Sequence, residues 1–371
     1  MPSSAVDCVQ PAIQHVREQL FTHFRWGQWS RLALVGILAA ELHSGGCGGF
    51  PSFNVPISRP RSAGHGFVAP PFFPHIDPAR IAQFAALIAV VLILAVILFF
   101  IFLYISSVFR FILFESVLKK QCMIGEGWQK WHRIGRGFFL WQLVFLISTW
   151  LFLGFLIGVP IAVALAAGLW ANPGQHMGPL VGGAILLVGL LIVFALAAAA
   201  VQVLAKDFLV PIMALEGVDF ADGWSRLLAM MRPEPGKYVV YLLLKLVLAI
   251  AAGILFSIAA IIPAIAVAVP AIILVLVGKA AGLGWTVMTI SLAVILGTVL
   301  LLILIYLIAL VSAPATVFFP AYSIYFFASR YPNLDALLHP APPPVTPESP
   351  ALPESPPPEP PPLPPSPEPI G

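Results

Sequence analysis

Five apolar blocks, near residues 83–106, 138–159, 180–204, 238–262 and 286–311, decide most of what this chain can become. Each supplies the roughly 20 residues that a helix needs to cross about 30 Å of hydrocarbon. The blocks are continuous rather than striped, so no polar face is kept for water. Lipid offers no partner to a free N–H or C=O, and the alternating pattern of a barrel strand is missing, so spans of this kind must be helical. Composition agrees: 60% of the residues are hydrophobic and 9% charged, against about 25% charged in a soluble domain. The expected fold class is all-α, a polytopic transmembrane helical bundle. No charged n-region leads directly into an apolar core with a cleavage site, so insertion is expected to start from an internal span.

Basic residues orient the spans, because loops rich in Lys and Arg stay in the cytoplasm. Arg110, Lys119, Lys120, Lys130, Arg133 and Arg136 lie between the first two blocks, and Lys206, Arg226, Arg232 and Lys237 between the third and fourth; the alternate loops hold only Lys279. This places residues 44–80 outside, so Arg17, Arg25 and Arg31 sit inside only if residues 26–43, "WGQWSRLALVGILAAELH", also cross. The charges of that segment, Arg31 and Glu41, lie near its ends, where they can snorkel to the interface. The expected organisation is a cytoplasmic segment at 1–25, a transmembrane domain at 26–338 with six spans, and a tail at 339–371, both termini being cytoplasmic. Two alternatives stand beside it: five spans with the N-terminus outside, or a double crossing of residues 238–278, which contain Pro263 and Pro270, with the C-terminus outside.

The chain also writes one phrase twice. "FILFESVLKKQCMIGEGW" begins at Phe111 and "FLVPIMALEGVDFADGW" at Phe208; both follow an apolar block and close on an acidic residue, a Gly and a Trp. A fainter third version, "VFFPAYSIYFF" from Val317, sets Pro320 where the second has Pro211. A duplicated hairpin follows, with an interfacial stretch on the cytoplasmic side. There Trp128, Trp131, Trp141 and Trp224 suit the headgroup region, and Lys119, Lys120, Lys130 and Arg133 suit anionic lipid heads. Partners expected on this ground are the bilayer and its anionic headgroups; a net charge of +3 lends nucleic-acid binding no support.

A span running into a Pro- or Phe-marked interfacial segment, then a "GW" helix, basic residues and another span, is similar to the membrane domains found with bacterial glycerophosphodiester phosphodiesterases and to related uncharacterised multi-pass families. "LFTHFRWGQWSRLAL" resembles openings of such uncharacterised proteins, and the resemblance covers roughly residues 10–335. It implies a bacterial inner (plasma) membrane. The metal-dependent catalytic barrel of the phosphodiesterases is absent, so no activity and no catalytic residue is carried over.

Chemistry is sparse in the rest. His43, Cys47, His65, His75 and Asp77 share an outer loop but match no metal-site spacing; "VGKAAGLG" lacks the first Gly and the Ser or Thr of a phosphate loop. No catalytic, cofactor or metal residue is expected. Cys8, Cys47 and Cys122 fall in separate segments, which argues against a disulfide. Lys245, two turns into its helix, is expected to snorkel to the cytoplasmic interface. Small residues at helix-packing spacing, Gly154 with Gly158 and Ala249 with Gly253 and Ser257, are expected at helix contacts. From Pro340 onward more than half the residues are Pro, a composition that stays extended and disordered and offers PxxP surfaces to a partner protein. The functional expectation is a non-enzymatic membrane protein that organises or regulates a membrane process through its interfacial helices and tail. The alternative is a transporter or channel component for an unidentified solute.

Overall fold

A computed structural model describes residues 4–22, 24–39, 78–169, 177–282, 284 and 286–339, all of them helical or in connecting turns. The outer loop with its candidate ligands, the tail and residues 40–43 lie outside the described residues. In chain order the helices are α1 (Val9–Val16), continued by a π-helical turn at Arg17–Thr22, α2 (Trp26–Leu38), α3 (Pro78–Leu118), α4 (Ile124–Ala166) and α5 (Met177–Leu204). A second π-helical turn at Ala205–Leu209 leads to α6 (Val210–Glu216), α7 (Phe220–Met231), α8 (Pro235–Ala280), α9 (Val287–Ala328) and α10 (Pro332–Leu338). The fold is an all-α helical bundle.

Five of these units are long and apolar enough to cross a membrane: most of α3, α4, α5 through α6, α8 and α9. At 40 to 46 residues for the last four, each reaches about 60–70 Å, twice the hydrocarbon thickness. The surplus has a definite use. The most apolar stretch of each is at most 11% buried, while the opposite end enters one shared core that contains Val108–Val117 of α3, Phe138 and Trp141 of α4, Phe208–Met213, Tyr238 and Tyr241 of α8, and Val317–Phe327 of α9. α8 runs unbroken through Pro263 and Pro270, each of which removes one hydrogen bond without reversing the chain. The double crossing of 238–278 therefore has no turn to make it.

α2 is the described part of the expected sixth span, and it is thirteen residues long, about 20 Å and short of the hydrocarbon. It lies along α9 in the same direction. Trp29 Nε1 donates to the Leu310 carbonyl at 2.9 Å, which is the carbonyl that Pro314, four residues on, cannot serve. Ala33 packs against Ala309 and Ala313, and Gly36 comes so near Thr316 that a Cβ would lie 2.7 Å from its Cγ2.

The N-terminal segment, residues 4–22 with the first turn of α2, also serves the end of α3. The last carbonyls of a helix have no partner within it, and those of α3 end inside the protein. His15 Nε2 meets the Val117 carbonyl at 2.9 Å, Gln19 Nε2 donates to that of Ser116 at 3.0 Å, and Gln28 Nε2 donates to that of Lys120 at 2.7 Å. With Tyr325 Oη 3.3 Å from His15 Nδ1, the neutral ring satisfies both contacts: Nε2–H donates to Val117 and Nδ1 accepts from the tyrosine.

Corresponding residues of the two phrases meet corresponding partners. Phe111 meets Phe138 edge-on at 5.9 Å and 88°, and Phe208 meets Tyr238 edge-on at 5.5 Å and 88°. The glycine before each Trp lies over the residue after each Phe: a Cβ on Gly127 would stand 3.0 Å from Ile112 Cγ1, and one on Gly223 would stand 2.6 Å from Leu209 Cδ1. The phrase recurs with a Phe that plugs the core and a Gly that lets the next helix close over it.

Two outcomes follow for stability. Gly135→Ala, whose Cβ would come 2.8 Å from Val108 Cγ2 and 3.1 Å from its Cα, is expected to destabilise the core by about 1–3 kcal/mol, whereas Gly154→Ala, which faces open space, leaves the melting temperature in detergent unchanged or raises it. Burial, aided by Lys120, holds the His15 pKa below its ordinary value of 6.5. The unfolded histidine therefore binds its proton first, so the docking of α1 is fully stable above about pH 6.5 and weakens as pH falls below it. Measured against the intrinsic exchange rate at each pH, hydrogen-exchange protection of residues 9–22 should fall between pH 7.5 and 5 in the native protein and lose that dependence in His15→Gln.

Candidate functional site

Where α3, the α5–α6 junction, α8 and α9 converge, four charged side chains surround a cavity of about 30 Å³: Arg110, Lys206, Asp207 and Lys245. The π-helical turn inserts its residues just before Pro211, and such single-turn bulges re-aim side chains within a helix. Asp207 is thereby buried at 6% exposure, facing Lys245 at 5%. Lys245 Nζ is 2.7 Å from Asp207 Oδ1 and also reaches Oδ2, to which Tyr241 donates at 2.7 Å. Tyr241 and Lys245 are one turn apart on α8 and so share a face.

Aromatic groups fix this pair on every side. Tyr241 stacks on Tyr322 at 5.1 Å and on Phe326 at 4.5 Å, and Lys245 Nζ lies 5.8 Å from the centre of the Phe319 ring. The expectation that Lys245 snorkels outward is corrected here: a carboxylate is nearer than the interface, and a buried ammonium is held by an ion pair and a hydrogen-bonding partner rather than by water. Arg110, on the other wall, donates from Nε to the Ala39 carbonyl at 3.3 Å and lies 5.5 Å from the Phe138 ring centre.

The lining has an order that follows the repeated phrase. The residue before Phe111 is Arg110 and the residue before Phe208 is Asp207; Leu113, Val210 and Phe319 occupy one matching position, and Phe114, Pro211 and Pro320 the next. All of these line the same cavity. The three helix segments thus converge on it, with three basic groups and one acid among the side chains. Such an arrangement can hold negative charge or couple the position of α8 to that of the α5–α6 junction. Among the described residues no three His, Cys, Asp or Glu side chains are grouped to hold a metal ion. Cys8 and Cys122 are buried and not joined in a disulfide.

The expected interfacial residues divide into two sets. Trp131 and Trp141 are in the core, at 5% and 6% exposure: Trp131 stacks on Phe111 and donates to the Glu115 carboxylate, and Trp141 stacks between Phe138 and Phe145. A belt tryptophan must face outward, and aromatic partners hold these two inward. Trp128 and Trp224 are half-buried, the first against Tyr104 and Phe109, the second against Trp141. The basic set remains outside. Lys119 and Lys130 both reach Glu115 at 2.7 Å, Lys120 reaches Glu18 at 2.7 Å, and Arg133 is exposed.

Of the small-residue positions, Ala249 packs with Ala315 and Phe319 of α9, Gly253 is buried, and Ser257 donates back to its carbonyl at 2.6 Å. Gly154 and Gly158 face open space. Asp207 is the residue the primary structure does not announce. Its signal was an acid at the end of one apolar block and Lys245 inside another, since an ionisable residue in a span calls for a partner.

Residues 3–337 match a family of unknown function (DUF7544). No curated protein and no solved structure matches the chain, and nothing in these comparisons links it to the phosphodiesterase-associated membrane domain.

The ion pair has a measurable signature. Asp207→Asn leaves a buried ammonium without its counter-charge and is expected to cost about 3–5 kcal/mol, while the double change Asp207→Asn with Lys245→Met regains most of it. Thermal unfolding of the detergent-solubilised variants reads the difference; equal losses in the single and double variants would contradict it.

Proposed function

Because the chain belongs to this family of unknown function, its role has to be read from its own geometry, and we propose that it is a non-enzymatic protein of the bacterial inner membrane that organises or regulates a membrane process. The observation that carries this reading is the division of every long helix into a half with an apolar surface left for lipid and an end locked into one shared core. A bundle built that way is a platform. Its inner face is rigid, because the N-terminal helices cap α3 and lie on α9, and the lysines around Glu115 and Glu18 present positive charge to anionic headgroups. Both described ends of the chain, α1 and α10, pack into that core, which supports a cytoplasmic location for both termini. The proline-rich tail is then the segment that engages a protein partner.

A second reading, a transporter or channel component, is favoured by one observation. The buried Asp207–Lys245 pair lies beside a cavity with an excess of positive charge, the kind of site at which ion binding and helix movement are coupled in membrane carriers.

Reconstitution separates the two. The full chain alone in vesicles containing phosphatidylglycerol is expected to move ions and small solutes no faster than protein-free vesicles do. Flux well above that background, abolished by Asp207→Asn with Lys245→Met, would replace the platform by the carrier.

A further inference from the structure

The N-terminal hairpin does not close completely on the two helices beside it. Between the α1 segment and the middle of α8 and α9 runs a groove of about 460 Å³, walled by Ile13, Val16, Phe21, Ala252, Phe256 and Phe318, with Arg17 as the one charged residue among its lining. Its floor is small and smooth: Ala252, Pro314 and Ala315. We propose that this groove binds one anionic phospholipid of the surrounding bilayer, an acyl chain lying on the apolar wall and the phosphate on the Arg17 guanidinium.

Three observations specify that occupant. The groove is continuous with the surface that α8 leaves for lipid, since Leu255 and Ile258, which flank Phe256, are 62% and 61% exposed. An acyl chain therefore reaches it without leaving an apolar environment, so its seating there rests on close packing and on the charge at the groove rather than on removal of apolar surface from water. The charge at the wall is positive and uncompensated locally. Glu18, the acid next to Arg17, already accepts from Lys120 at 2.7 Å and from Gln14 at 3.0 Å. Finally, the depth is that of an interface: Phe21 and Phe24 both pack on Trp29, at 5.4 Å and 5.6 Å, and Phe21, Phe24 and Trp26 are at least 56% exposed. An exposed tryptophan such as Trp26, with its apolar ring and polar N–H, settles at headgroup level, where a phosphate and an acyl chain meet.

This inference rests on the bundle being embedded in lipid and is indifferent to whether the protein is a platform or a carrier. The test uses the full chain in nanodiscs containing phosphatidylglycerol with a photoreactive diazirine on one acyl chain, followed by peptide mass spectrometry. Labelling is expected to concentrate on residues 13–21 and 252–256 relative to the equally exposed face of α5 at Ile185–Leu196. Arg17→Gln, at an exposed position where folding is not at stake, should lower groove labelling by phosphatidylglycerol about fivefold, the effect of one basic residue at an anionic surface, without changing labelling by phosphatidylcholine. Ala252→Phe, which fills the groove, should lower labelling by both lipids and leave α5 unaffected. Labelling that simply follows exposure, or that neither variant changes, overturns the proposal. So does photoreaction blocked by the proline-rich tail or by a second copy of the chain seated in the groove.

Discussion

Apolar helices gain little by leaving lipid for one another, because hydrocarbon tails are as apolar as leucine. Everything distinctive in this bundle follows from where that difficulty is resolved. The helices are joined at their ends, beyond their most apolar stretches, where aromatic rings, close glycine contacts and hydrogen bonds supply what lipid cannot. The halves that carry the strongest hydropathy hold the least packing. Small residues confirm the pattern: Gly36, Gly127, Gly135 and Gly223 in or beside the core each stand against a neighbour, whereas Gly154 and Gly158 in the apolar half of α4 do not.

Within that core the polar groups are few and each has a structural task. The Asp207–Lys245 pair with Tyr241 ties α8 to the α5–α6 junction. Glu216 at the end of α6 draws in Arg226 of α7 and Tyr331 before α10, so one carboxylate joins α6, α7 and the start of α10. The N-terminal segment completes the set by serving the carbonyls that α3 and the proline-interrupted α9 leave open. A buried ion pair is weak evidence for added stability, but it is directional, and it sets the register of two helices that apolar contacts alone would let slide.

The repeated phrase connects this architecture to a function. Its Phe and its Gly recur in the first two phrases, where each Phe lies in the core and each Gly lets the next helix close over the residue beside that Phe. The matched positions of the two phrases carry different side chains: Arg110 stands where the second phrase has Asp207. That substitution converts a matched position into a pair of opposite charges across the cavity, and with Lys206 and Lys245 it leaves the site positive overall.

The helical class and the five helices long and apolar enough to cross a membrane were legible in the primary structure, because a continuous apolar run of twenty residues has one stable form in lipid. The positions of the two matching phrases were legible too, since Phe, Gly and Trp recur at similar spacing. What the tertiary structure alone decided is which side of a helix faces protein. Trp131 and Trp141 read as belt residues and are core; Lys245 reads as an interfacial lysine and is half of a buried pair. A hydropathy pattern reports how much a segment avoids water and is silent about whether lipid or protein replaces it. In this chain that choice was made by contacts between residues up to about three hundred positions apart, such as His15 with Tyr325 and Trp29 with Leu310, which no local pattern encodes.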